Sequence, residues 1–481
     1  MGSGNSRNKD AKGAVNPFPD RNAPVRHWTR EEVLAALKVT ITPTEDGRTD
    51  GPAVHSGLLD LLRGKERTAG VEFTWTSIYD PEDPLKAPAA AKARGDAPFE
   101  TPAEDRAYGA LLGMAVGDAL GACLEFLPVD YDARTVEGMP PGPGGKFLLQ
   151  PGQWTDDTSL GLCLADSLLT RGGFDGHDLM HRVLAWWYCG MNNAARFEHS
   201  ECDRDRTSVG LGSNMKCAMT EYVFYPVALT DAGTQHTSGN GSLMRLAAVP
   251  VFYRADIAQA EDCARKQSLV THQGVEAAEC CRLMAHIMVR GIAGEDLRDV
   301  LESLPSAFTT DCPSVRALAA SQPEMKKKQE EDGEKKKDEK KQESKDEGEK
   351  TSAEEQTKDG ETTKVEGEID PDRNWNWKAA DFRYSPTRAK VNPGYIGSYA
   401  MDAMAMALHV LWSTESFPEA VLRAVNLRGD ADTLGAIVAQ IGGCFYGCSA
   451  IPVDWKRTVM RWDGNEIALR AAHLYSHTLL Q

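Results

Sequence analysis

The chain has 481 residues, enough for one large domain with extensions or for two ordinary domains. Its formal net charge of -17 excludes a general nucleic-acid binder, because affinity for phosphate backbones rests on many Lys and Arg contacts. The eleven cysteines form neither paired metal knuckles nor a regular disulfide framework, so reduced thiols in an intracellular, cytoplasmic setting are expected.

No stretch has the roughly 18 consecutive apolar residues a membrane span requires, and no apolar signal core opens the sequence. The first residues do fit the N-myristoylation pattern, with Gly2 exposed once Met1 is removed, Ser6 four positions later, and Arg7, Lys9 and Lys12 following. One acyl chain on Gly2 would give only weak membrane association. The plainer reading of residues 1–24 is a disordered polar tail.

Residues 25–98 read as a small N-terminal module and linker of unknown role. Thr29 and Glu32 have the spacing of a capping box before the helix-like run to Leu37, and a second apolar run covers Leu58 to Leu62. The Pro/Ala/Lys stretch from Pro81 to Pro98 reads as the linker.

From residue 99 to 480 the pattern is helical, over Tyr108 to Leu120, Thr158 to Leu169, Leu179 to Tyr188, Gly274 to Val289, Tyr399 to Trp412, Pro418 to Leu427 and Thr433 to Phe445. Alternating strand-like runs are scarce. Residues 324–370 interrupt this pattern with Lys, Glu, Asp, Gln, Ser, Thr and Gly, a composition that cannot join a core and reads as a disordered surface insertion. The expectation is an all-α domain that continues across the insertion.

Two acidic clusters carry the chemistry. Trp154-Thr155-Asp156-Asp157-Thr158 leads into one apolar helix, and Arg428-Gly429-Asp430-Ala431-Asp432-Thr433 leads into another. Each taken singly is compatible with N-capping, where Asp and Thr are favoured and the helix dipole welcomes negative charge. Yet a cap needs one such residue, and the clusters offer four and three. If the two helix starts face each other, their carboxylates repel unless a cation lies between them or some take up protons. Oxygen ligands without nearby His or Cys suit Mg2+, or Mn2+ as a substitute, and the carboxylate count allows two ions. Two independent caps remain the alternative.

Gly113, Gly117 and Gly121 recur every four residues in an apolar helix, a spacing suited to close helix approach. Asp118 in that helix reads as a buried hydrogen-bonding residue, and Glu125 just beyond it is the better candidate to act on substrate. The turn Ser238-Gly239-Asn240-Gly241-Ser242 and the small-residue loop with Gly210 and Gly212 could cradle a diphosphate on backbone N–H groups, or be simple tight turns. His272 and the Cys444/Cys448 pair, one helical turn apart, are each more economically read as structural residues.

Taken in order, Gly117-Asp118-Ala119-Leu120-Gly121 with Glu125, Trp154 to Thr158, Gly239 to Arg245, Thr271-His272 and Gly429 to Gly435 resemble the motif blocks of the ADP-ribosylglycohydrolase family. The resemblance spans roughly 104–317 and 373–475. Arg428 departs from it, standing where many members carry a further Gly. The resemblance implies an orthogonal all-α fold, a centre of two Mg2+ ions, and hydrolysis of the bond joining ADP-ribose to a protein side chain or small conjugate. By motif position, Thr155, Asp156, Asp157, Asp430, Asp432 and Thr433 would bind metal, and Glu125 and Asp157 would act at the reacting centre. Gly210, Gly212, Gly239, Asn240, Gly241, Ser242 and His272 would line the ADP-ribose cleft. A family member that binds ADP-ribose or metal without hydrolysis is the alternative, and a metal-dependent phosphohydrolase would fit the acidic clusters alone.

Overall fold

The computed structural model describes residues 25–27, 29–42, 53–63, 72–74, 77–195, 208–229, 237–322 and 371–480. The expected N-terminal tail with Gly2, and the expected charged insertion, lie outside the described residues. Among those described there are eighteen α-helices, and the strands are limited to two short pairs near the N-terminus. β1 (Val25–His27) pairs in parallel with β4 (Glu72–Thr74), and β2 (Thr40–Thr42) pairs antiparallel with β3 (Ala53–His55). The class is all-α, as expected.

The N-terminal helices are α1 (Arg30–Leu37), α2 (Gly57–Arg63) and α3 (Lys86–Arg94). The capping box is formed: the Glu32 N–H donates to Thr29 Oγ1 at 3.2 Å and the Thr29 N–H donates to Glu32 Oε2 at 2.9 Å. The stretch expected as a linker is a helix for much of its length. α3 escapes an apolar-pattern reading because it buries small side chains, Ala89, Ala90 and Ala93, instead of large ones.

The main body begins with α4 (Pro102–Gly121), α5 (Asp156–Arg171), α6 (Gly176–Cys189), α7 (Ser213–Phe224), α8 (Ala248–Phe252) and α9 (Ile257–Leu269). It continues through α10 (Val275–Ala293), α11 (Leu297–Ala307) and α12 (Pro313–Ala319). Past the insertion come α13 (Pro386–Val391), α14 (Ala400–Trp412), α15 (Phe417–Asn426), α16 (Ala431–Tyr446), α17 (Val453–Met460) and α18 (Glu466–Ser476). All seven helical patterns read from the sequence fall on observed helices. The starts follow ordinary capping: Thr101 accepts from the Glu104 N–H at 3.1 Å with Pro102 opening α4, and Asp175 accepts from two N–H groups at the head of α6.

The core is organised around α4 and α16. A Cβ placed on Gly109, Gly113, Gly117 or Gly121 would lie 2.4, 2.3, 2.1 and 2.3 Å from the carbonyl oxygens of Gly443, Ala439, Gly435 and Ala431. The two helices therefore touch backbone to backbone over several turns, which only glycine permits. This contact brings the end of α4 against the start of α16, the two places where the sequence puts Asp118, Glu125 and Asp432.

The chain reads across the insertion. Ser321 Oγ donates to Asn376 Oδ1 at 2.9 Å and the Gln322 N–H donates to the same oxygen at 3.0 Å, so the described ends on either side are clasped together. Cys444 and Cys448 are both buried, and among the described residues the groups able to hold a metal contain only carboxylates. No helix of the described residues is long and apolar enough to cross a membrane.

Candidate active site

Both acidic clusters meet at one place. Thr155 ends the loop before α5, Asp156 and Asp157 open that helix, and Asp430, Asp432 and Thr433 sit at the start of α16. α4 supplies Asp118 from its last turn and Glu125 from the turn beyond. Asp118, Asp157 and Asp432 bring oxygens within 4.8 Å of one another, and Glu125, Asp430 and Asp432 do the same, so Asp432 belongs to both groups. All of these carboxylates are buried.

Asp118 has a definite task in this arrangement. Thr155 caps α5 by position but its own side chain makes no capping bond. The Asp118 carboxylate does that work from the neighbouring helix, accepting from the Thr155 N–H at 2.9 Å, the Thr158 N–H at 2.9 Å and the Thr158 hydroxyl at 2.7 Å. The hydrogen-bonding role expected of Asp118 is thus observed, with the addition that it also faces the other carboxylates.

The electrostatics of the cluster are unbalanced by protein groups alone. Thr155 Oγ1 lies 3.0 Å from Asp118 Oδ1, 2.9 Å from Asp157 Oδ2 and 3.2 Å from Asp432 Oδ2, yet a hydroxyl has one proton to donate. Asp157 Oδ1 and Glu125 Oε2 are buried with no hydrogen-bond partner. Burial pushes Asp156, Asp157 and Asp432 well above the usual carboxylate range, and their carboxylate neighbours add to it. Burial, then Asp430, pushes Glu125 up to about 8. Crowded hard oxygen donors, two of them without a hydrogen-bond partner, fit a divalent metal such as Mg2+, whose charge would offset both the repulsion and the desolvation.

A cleft of about 540 Å³ opens above the cluster, reached by Glu125, Asp156, Asp430, Asp432 and Thr433. One wall is the glycine-rich side. Gly210 has a φ of +92°, and a Cβ there would lie 1.9 Å from Asp156 Oδ1, so the loop before α7 is pressed against the first turn of α5. Gly212 caps α7 and leaves that helix start open to the cleft. Gly239 and Gly241 lie against His272, where a Cβ on Gly241 would meet the ring at 2.8 Å. Asn240 also lines the cleft, with its amide donating to Asp430 Oδ2 at 2.7 Å and to the Gly397 carbonyl at 3.0 Å. It holds a member of the acidic cluster in place.

Ser242 departs from the expectation. It is fully buried, accepts from Ser268 Oγ at 2.8 Å, and turns into the core because the short 3-10 turn Asn240–Ser242 points its last side chain away from the cleft. His272 does reach the cleft wall. Burial, then Arg245, pushes it down to about 3, so the ring is neutral. Arg245 donates to Thr271 Oγ1 at 2.8 Å, and Thr271 Oγ1 lies 2.8 Å from His272 Nδ1. With Arg245 as donor, the hydroxyl proton is free for Nδ1, which leaves the ring proton on Nε2 beside Gly241.

The rest of the lining was not read from the sequence. Arg373, Arg388, Tyr395 and Tyr399 come from the segment after the insertion, and Asn214 from α7 lies beside Gly239. Arg388 is held by a two-pronged pair with Asp402 at 2.8 and 2.7 Å, and Arg373 pairs with Glu276, which also accepts from the Tyr399 hydroxyl. The one local signal was the pair of aromatics in Pro393-Gly394-Tyr395-Ile396-Gly397-Ser398-Tyr399, a turn directly before α14.

A family model described as ADP-ribosylglycohydrolase matches residues 100–479. The chain belongs to the ADP-ribosylglycohydrolase family. Among curated members, it is 28% identical over 380 residues to the ADP-ribosylarginine hydrolase Tri1 of Pseudomonas putida (strain GB-1), covering 79% of this chain and 81% of that one. It is 24% identical over 352 residues to the ADP-ribosyl-[dinitrogen reductase] glycohydrolase of Rhodospirillum rubrum, covering 73% and 89%. A solved structure, an ADP-ribosylglycohydrolase-related protein complex, aligns with a TM-score of 0.52 at 29% identity and covers 78% of this chain and 99% of that one. The family match begins at residue 100, so the N-terminal strands and α1 to α3 lie outside it.

Proposed function

We propose that this ADP-ribosylglycohydrolase uses Mg2+ to hydrolyse the glycosidic bond between ADP-ribose and a modified acceptor, a protein side chain or a small conjugate. The observation that carries the reading is one buried carboxylate cluster, Asp118, Asp157 and Asp432 with Glu125 and Asp430, whose members Glu125, Asp430 and Asp432 reach a single cleft beside Asp156 and a stretch of glycine-rich backbone.

In this reading Thr155, Asp156, Asp157, Asp430, Asp432 and Thr433 hold two Mg2+ ions, with Mn2+ able to substitute. Bound there, Mg2+ supplies positive charge that orients ribose hydroxyls and favours water as the nucleophile at the anomeric carbon. Asp118 and Asn240 act at one remove, fixing Thr155 and Asp430. Gly210, Gly212 and the open start of α7 present N–H groups to the diphosphate, whose charge the helix dipole favours. His272 offers a neutral Nε2–H from the side of the Gly239 to Gly241 turn. Glu125, raised to about 8, holds or releases a proton near neutral pH and is the residue assigned to the reacting group. Carboxylates around the ribose also favour the positive charge that develops on the sugar as a glycosidic bond breaks.

The acceptor to test first is arginine, since relatives named ADP-ribosylarginine hydrolases share 28% of residues with this chain. Free ADP-ribose would be measured from arginine-linked, serine-linked and O-acetyl substrates, with Mg2+ and with EDTA. Metal-dependent release of intact ADP-ribose from any of them supports the reading. Release of AMP or phosphate in its place would favour a phosphohydrolase, and binding of ADP-ribose without release would favour a non-catalytic member.

A further inference from the structure

Phe126 follows Glu125 directly and has a φ of +68°. The left-handed region strains an L-residue with a Cβ, and glycine would make the same turn without that cost. A residue stays in such a conformation only where its surroundings over-determine it.

Here they do so through both backbone and ring. The Phe126 N–H donates to the Gly429 carbonyl at 3.0 Å, and the Gly429 N–H returns a bond to the Leu127 carbonyl at 2.9 Å. This exchange stitches the Glu125 turn to the loop that presents Asp430. The ring is packed by three neighbours: Lys146 Nζ lies 3.8 Å from its centroid, Phe147 meets it edge-on at 6.0 Å, and Tyr395 is parallel to it within 3° at 6.0 Å. Tyr395 is itself part of the cleft wall. Glu125 Oε2 is buried with no hydrogen-bond partner, so the carboxyl is placed by the chain that carries it together with its contact to Asp432.

We infer that Phe126 is a positioning residue for Glu125: its ring, packed among Lys146, Phe147 and Tyr395, holds the strained turn that keeps the Glu125 carboxylate over the acidic cluster. The inference rests on the assignment of Glu125 in the proposed hydrolysis, and its test is chosen to fail separately from that assignment.

The full chain is prepared as Phe126→Leu, Phe126→Gly and Phe126→Tyr. Phe126→Leu removes the ring, Phe126→Gly removes both ring and backbone strain, and Phe126→Tyr keeps an aromatic ring. On the substrate that the wild type cleaves, kcat falls by about tenfold or more in the Leu and Gly variants, as expected when a reacting group is displaced by a fraction of an ångström. KM and Mn2+ affinity stay within about twofold, and the Tyr variant recovers most of kcat because the stacking is retained. In the Leu variant, hydrogen exchange at the Gly429 amide quickens while amides in the middle of α4 and α16 keep their rates.

Wild-type kcat in both the Leu and Gly variants overturns the inference. So does a parallel fall in kcat, Mn2+ affinity and core protection, which would mean the ring is only part of the general packing. If the wild type cleaves none of the substrates, the hydrolase reading fails on its own, and exchange at Gly429 alone decides the positioning role.

Discussion

Gly117 and Gly435 meet without side chains between them: a Cβ on Gly117 would lie 2.1 Å from the Gly435 carbonyl oxygen and 2.4 Å from its carbon. No rotamer change can relieve such a clash, because both partners are backbone. The contact lies one residue from Asp118 and two from Thr433, so it fixes the spacing between the two halves of the acidic cluster.

Gly117→Ala must therefore push α4 and α16 apart. Overpacking a core commonly costs about 1 to 3 kcal/mol, and a backbone clash belongs at or above the upper end. Urea unfolding should register that loss, and Mn2+ affinity should fall with it. A variant as stable as the wild type would mean that the two helices are less closely apposed than described.

The acidic cluster makes stability depend on pH and metal together. Burial, then Asp430, raises Glu125 to about 8, and burial raises Asp156, Asp157 and Asp432 in the same direction. A carboxyl raised on folding favours the folded state while it is protonated, and that contribution is lost as pH climbs from the unfolded value through the folded one. Without metal, the protein should lose stability as pH rises through this range. The proposed Mg2+ would take the place of the protons, so the gap in Tm between Mg2+ and EDTA should be wider at about pH 8 than at about pH 5.5. Equal gaps at both pH values would contradict the description of the cluster.

Much of the site was legible because its chemistry is local in sequence. Three or more oxygen-bearing side chains at each of two helix starts are more than capping requires, and that excess pointed to Thr155, Asp156, Asp157, Asp430, Asp432 and Thr433 before any contact was known. The α4 glycine spacing was legible for a similar reason, as a periodic stripe that no other packing explains. Arg373, Arg388, Tyr395 and Tyr399 were not legible, since they reach the cleft through long-range packing from short helical turns and loops beyond the insertion. α3 escaped notice because alanines bury without leaving an amphipathic pattern, and Ser242 does not line the cleft because successive side chains of a 3-10 turn point in different directions, which sends Ser242 into the core.

The segment before residue 100 is also tied into the main body in a way its composition hides. Tyr79 is buried and its hydroxyl donates to Asp166 Oδ1 at 2.7 Å, while Arg470 donates to the same carboxylate at 2.7 and 3.1 Å. Burial works against the Asp166 charge, but Arg470 beside it holds the carboxyl below its usual range. Tyr79→Phe should cost about 1 to 3 kcal/mol, because it leaves a buried acceptor short of one partner. The same unfolding curve read by chemical denaturation tests it, and an unchanged midpoint would show that this segment is not anchored through Asp166.

Arg428 occupies the position that set this chain apart from the family pattern, and its φ of +64° explains why glycine suits the position. Arg428→Gly relieves about 1 to 2 kcal/mol of left-handed strain. It gives up a surface pairing with Asp130 at 3.5 Å, of a kind worth about 0 to 1 kcal/mol, and a long hydrogen bond to Thr135 Oγ1 at 3.3 Å. The variant should be at least as stable as the wild type by thermal unfolding. A marked fall in Tm would mean that the Arg428 side chain does more than bridge the surface.

Asp432 is the residue on which the account turns, because it alone is common to both carboxylate groups. The most direct measurement is titration of Mn2+ into the full chain and its Asp432→Asn variant, with ADP-ribose release followed on the same samples. Two ions are expected to bind the wild type, the variant to lose affinity at both sites, and release to fall with metal occupancy. Unchanged binding and release in Asp432→Asn would contradict a shared metal centre at the helix starts of α5 and α16.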